Sequence, residues 1–78
     1  MIEQGMAPAA MMFQRGRSWQ EDGKIFQAVW TYFQLMAYHS GTPEALKARG
    51  RLFDLAQRFE VEGKVHQATH LYQRLAAL

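Results

Sequence analysis

Shifted by 40 residues, this chain lies on top of itself, with Gly63 following Gly23 at that distance. Phe13 meets Phe53, Gly23-Lys24 meets Gly63-Lys64, and Gln27-Ala28 meets Gln67-Ala68. Tyr32 meets Tyr72, Leu35 meets Leu75, and Ala37 meets Ala77. Met12/Leu52, Gly16/Ala56, Trp19/Phe59 and Ile25/Val65 are conservative pairs. A period of this length marks a supersecondary unit used twice, each copy burying an apolar face against its neighbour. The fold therefore reduces to the structure of one unit and the way two units meet.

Within a unit the apolar residues recur at helical spacing, and no segment alternates with the period of a strand. The spacing predicts a first helix over 8–22, opened by Pro8 in a first turn where its missing N–H would be unpaired anyway. Its inner face carries Met12, Arg15/Gly16 and Trp19. Gly16 inside a helix costs about 1 kcal/mol against alanine, which points to the close approach of a neighbouring helix. Gly23 caps that helix in the left-handed conformation. A second helix covers 23–39 and stops at His39-Ser40-Gly41. Thr42-Pro43-Glu44 restarts the chain: Thr42 caps, Pro43 opens the turn, and Glu44 meets the positive end of the dipole. The third helix, 43–62, turns Ala45, Ala48, Leu52, Leu55, Ala56 and Phe59 inward. Gly63 ends it, and a fourth helix, 64–77, carries Val65, Ala68, Leu71, Tyr72 and Leu75. The expectation is an all-α domain over 8–78, made of two helix-turn-helix hairpins at 9–39 and 43–78. Residues 1–7 are expected to form a mobile lead-in.

The series Leu52, Ala56, Phe59, Gly63, Ala68, Tyr72 and Leu75, matched by Met12, Gly16, Trp19, Gly23, Ala28, Tyr32 and Leu35, resembles the tetratricopeptide repeat. That family sets a large, a small, an aromatic, a turn glycine, a small and an aromatic residue at fixed positions. The spacing here departs from the family's repeat of about 34 residues, the excess falling near His39–Leu46. Pro43 lies near, and not at, the family's closing proline. Two units are present without the helix that solvates the end of such arrays. The resemblance implies a concave groove lined by Phe13, Gln14, Arg17, Phe53, Asp54 and Gln57. It does not reproduce the lysine and asparagine clamp that family members use for a peptide carboxylate, so an apolar peptide or helix fits better. Alternatively, Phe13 and Phe53 fill the space between the hairpins.

Composition narrows the function. The chain has 78 residues, of which 49% are hydrophobic, enough to exclude disorder but in a core small enough to favour association. Nine Lys+Arg against seven Asp+Glu leave +2, a weak bias for nucleic acid. The lack of cysteine removes disulfides and thiolate metal sites and fits a reducing, cytoplasmic compartment. The N-terminal residues lack a signal peptide's basic lead-in and apolar run, and no stretch is long and apolar enough to span a bilayer. His66 and His70 stand at i, i+4 without an evident third ligand, and the Gly-Lys pairs lack the rest of a P-loop. No spacing pairs a nucleophile with a base, so neither catalysis, a metal nor a cofactor is expected.

What remains is surface for a partner. The run 23–39 is apolar nearly all round, broken by Lys24, Gln27, Thr31 and Gln34, so it is expected to be buried on more than one side. Ile25, Ala28, Val29, Tyr32 and Leu35 serve the hairpin, leaving Phe26, Trp30 and Phe33, whose counterparts are His66, His70 and Gln73. These aromatics are expected to meet another chain, unless the lengthened segment 39–48 folds over them. Leu71, Leu75 and Leu78 on the fourth helix are further candidates, having no later helix to cover them. The expected function is a protein-binding adaptor or a small subunit of a larger assembly, working through apolar helix faces. The alternative is a small basic helical domain that binds nucleic acid through Arg15, Arg17, Lys47, Arg49 and Arg51. Against it, Arg51 and Arg58 are expected to pair with Asp54 and Glu62 along the third helix.

Overall fold

In the computed structural model, which describes residues 7–78, the chain forms four α-helices and no strand among the described residues. They are α1 (Pro8–Glu21), α2 (Ile25–Tyr38), α3 (Pro43–Val61) and α4 (Val65–Ala76). The expected lead-in, apart from Ala7, lies outside the described residues. Helix α1 packs on α2 and α3 on α4, forming two hairpins; α3 then joins them by packing on both α2 and α1. The result is an elongated slab of 49 × 27 × 14 Å.

The duplication seen in the sequence is reproduced at the turns in backbone angle and hydrogen bond. Asp22 and Glu62 end their helices at the same backbone angles, φ −82° and ψ 0°. Gly23 and Gly63 follow at φ 77° and 79°, the left-handed region where a side chain would be strained. The Gly23 and Gly63 amides donate to Gln20 and Glu60 carbonyls at 3.1 and 3.0 Å, and the Lys24 and Lys64 amides to Trp19 and Phe59 at 2.8 Å. This paired bonding is the Schellman motif, which satisfies carbonyls that the helix end would leave bare. The link between hairpins uses different chemistry. Gly41 has φ 85°, and the Thr42 hydroxyl donates to the His39 carbonyl while accepting from the Ala45 amide, so Thr42 caps α3 as its sequence predicts.

The core is one layer, built from Ala28, Tyr32 and Leu35 of α2, Ala48, Leu52, Leu55 and Ala56 of α3, and Leu71 and Leu75 of α4. Gly16 has the packing reason its position demands: a Cβ there would overlap the ring of Tyr32. Tyr32 is consequently fully buried, and its hydroxyl donates to the Gln20 side-chain oxygen at 2.8 Å. Two inward assignments need correction. Arg15 is exposed beside buried Gly16, and Val65 stands in solvent where its counterpart Ile25 is half-buried.

Candidate functional site

Helix α2 carries no charged side chain from Ile25 to Tyr38. Its inner face is spent on Ala28, Tyr32 and Leu35, and helical geometry puts Phe26, Trp30, Gln34 and Ala37 in a stripe on the opposite side. Phe26 is 79% exposed and Trp30 63%, and Tyr38 at the end of the helix is 77% exposed. The two rings stand between shallow clefts. One, of about 280 Å³, lies toward α4 and is lined also by Val29, Phe59, His70, Leu71 and Arg74. The other, of about 380 Å³, lies toward α1 and is lined by Arg15, Trp19, Gln27 and Thr31. Segment 39–48 does not cover the rings. It turns into α3, where Ser40, Gly41, Ala45 and Leu46 line a separate cleft with Met36 and Leu75.

Three residues expected on partner surfaces are instead interior. Phe33 is 8% exposed, with the guanidinium of Arg74 over its ring at 3.9 Å from the centroid. A cation on a partly desolvated ring stabilises by about 1–2 kcal/mol, so Arg74 both covers and holds Phe33. Position 33 faces the second hairpin, so its polar counterpart Gln73 does not report its burial. Leu71 and Leu75 are buried in the core cluster, so covering α4 needs no later helix. Only Leu78 of that trio is exposed. Thr31, counted as a break in the apolar ring, is buried with its hydroxyl donating to the Gln27 carbonyl at 2.8 Å. Such back-bonding removes the cost of burying a threonine. Sequence reasoning missed Arg74 and Tyr38; the uncharged run through Tyr38 was the available signal.

The α1–α3 face is assembled differently. Phe13 packs on Tyr32 of its own hairpin at 6.0 Å between centroids, tilted by 40°. Phe53 repeats the contact on Tyr72 at 6.2 Å and 43°. Lys47 and Arg51 lie over the Phe13 ring at 5.9 and 5.8 Å, and Arg49 over Phe53 at 5.5 Å. Three of the five basic residues of the nucleic-acid alternative are thus laid on aromatic rings. The expected pairs of Arg51 and Arg58 with Asp54 and Glu62 do not close; the ion pairs found are Arg17–Glu21 at 3.7 Å and Lys64–Glu62 at 3.4 Å. Gln14, Arg17, Asp54 and Gln57 are exposed. Phe53 is therefore braced within its own hairpin and Phe13 across both, each with one edge left toward solvent.

Two of the three tyrosines mark the same asymmetry. Burial pushes the Tyr32 hydroxyl above the ordinary value of 10.0, partly opposed by Arg51 and Arg17. Tyr72 is also raised, chiefly because its hydroxyl donates to the Glu60 carboxylate at 2.8 Å. Among the described residues no three His, Asp or Glu side chains converge as metal ligands, and no helix is long and apolar enough to cross a membrane. Comparison with family models, curated proteins and solved structures returns no match, so the geometry itself must carry the functional reading.

Proposed function

We propose that this chain is a non-catalytic protein-binding domain, an adaptor or small subunit built on tetratricopeptide-like hairpins, that uses the outer face of α2. One observation carries the reading: Phe26 and Trp30, one helical turn apart, stand 79% and 63% exposed on a helix without charge. The equivalent places on α4 hold His66 and His70. The hairpin therefore has no internal need for aromatics there. Covering each ring stabilises an assembly by roughly 1.5–3 kcal/mol, a gain the isolated domain forgoes. The edges of Phe13 and Phe53, with exposed Arg17 and Gln57 one turn further along α1 and α3, offer a second and more polar surface.

The reading is tested by placing a photo-crosslinking amino acid at position 30, and in separate variants at positions 57 and 70, in cells that make the protein. The expected result is a discrete protein adduct at position 30, absent at 70 and lost when Phe26 is also changed to His. An adduct pattern equal at all three positions, or none at 30, overturns it. Nucleic acid cross-linked through α1 and α3, with affinity falling steeply in salt, would favour the basic-domain alternative.

A further inference from the structure

The occupant of the α2 face is a second copy of this chain: we infer that two molecules pair α2 against α2, antiparallel, about a two-fold axis near residue 32. The inference rests on the protein-binding reading above and names its partner. Three observations support it.

The first is charge. An isologous contact sets every residue near the axis against its own kind, so a charged stripe repels itself. Helix α2 has none to repel, whereas the equivalent stripe on α4 contains Arg74 in place of Gln34. Antiparallel pairing also opposes the two helix dipoles favourably.

The second is shape. An axis near residue 32 sets Trp30 against the partner's Gln34 and Phe26 against the partner's Ala37 and Tyr38. Trp30 thus meets a smaller residue, and the clefts flanking Phe26 and Trp30 leave room for the partner's Tyr38 ring. Head-to-tail stacking that continued the packing of α3 on α2 would instead seat α1 of the next copy on α4, leaving Phe26 and Trp30 as open as they are here. That contact covers neither ring and builds an open array.

The third is area. At their observed exposure Phe26 and Trp30 present roughly 300 Å² per copy, so four rings supply about half of the ~1,200 Å² that a stable specific interface buries. Tyr38, Gln34, Gln27 and the adjoining edge of α1 supply the remainder.

The test uses the purified 78-residue chain. Light scattering at micromolar concentration should give twice the 9.0 kDa of one chain. Phe26→His with Trp30→His installs residues that the second hairpin already carries there, so helicity should be unchanged while the dimer dissociation constant rises at least about 100-fold. Because the chain has no cysteine, Gln34→Cys introduces a single thiol. A short bismaleimide should link it into a covalent dimer and fail to link Gln57→Cys on α3. A monomer, an open-ended oligomer, a dimer that survives the double histidine change, or equal linking at 34 and 57 each overturns the inference. A monomeric chain that still gives a position-30 adduct with another protein removes the second copy and leaves protein binding intact. A monomer with no such adduct removes both.

Discussion

The two hairpins share a backbone and differ in what they bury. Their turns superimpose in angle and hydrogen bond, and each stacks a phenylalanine on a tyrosine whose hydroxyl reaches back twelve residues to its first helix. Yet Tyr32 is fully buried, while Tyr72 stays partly in solvent. Helix α2 packs on both α1 and α3 whereas α4 packs on α3 alone, so Tyr32 is covered from two sides, and the missing Cβ at Gly16 lets its ring lie close on α1. The outer faces diverge further, with Phe26 and Trp30 on one hairpin and His66 and His70 on the other. A duplicated scaffold holds the fold in common and leaves the surfaces free to specialise.

The largest expected contrast is in the core. Leu52→Ala should cost about 2–5 kcal/mol, because Leu52 is fully buried between hairpins, whereas its counterpart Met12→Ala should cost less than about 2 kcal/mol from a half-buried site. Equal losses in denaturant titration would mean that the two hairpins contribute alike and would break the comparison.

Next come the small residues. Ala28→Leu and Ala68→Leu should each overpack a helix contact by ~1–3 kcal/mol, and Ala28 should suffer more, since α2 is packed on both α1 and α3. A neutral Ala28→Leu in thermal unfolding would contradict that packing.

Gly16→Ala sets a helix gain of about 1 kcal/mol against overlap with the Tyr32 ring, and overpacking of ~1–3 kcal/mol should win. The reverse change, Ala56→Gly, should cost about 1–2 kcal/mol, because it removes a buried methyl group as well as adding backbone entropy. Ultraviolet titration sharpens the point: in Gly16→Ala the Tyr32 phenol should move down toward its ordinary value as burial is lost.

The smallest effect is pH dependence. Both phenols are raised in the folded state, so the folded chain holds these protons more tightly than the unfolded chain. Their contribution is fully present below pH 10.0 and is lost as pH rises through the raised folded values. Tyr32→Phe should lower stability at neutral pH by about 1 kcal/mol, the net value of its hydrogen bond, and flatten the alkaline decline. Melting curves from pH 8 to pH 12 that fall equally steeply in the variant would assign the decline to other groups.

The helices, their order and their ends were legible in the sequence because each depends on local chemistry. Glycines at 23 and 63 can take a left-handed angle, and Thr42-Pro43 caps and opens a turn wherever it occurs. The 40-residue self-match likewise predicted the equivalence of Phe13 with Phe53 and of Tyr32 with Tyr72, and each hairpin sets its own phenylalanine against its own tyrosine. The same self-match failed at Phe33, because it assumes that equivalent residues have equivalent neighbours, and α2 packs on two helices where α4 packs on one. It held at Leu35 and Leu75, both buried; Leu75 and Leu71 were expected on a partner surface only because no later helix covers α4, and α3 covers them instead.

The sequence alone therefore determined an all-α duplication, its four helices and the uncharged character of α2. Tertiary structure decided which of that helix's aromatics reach solvent. Phe33 is closed by Arg74, a residue 41 positions away, while Phe26 and Trp30 stay open because no described segment crosses them. Helix formation is settled within a few turns of chain, but exposure is settled by whatever else arrives at the same point in space.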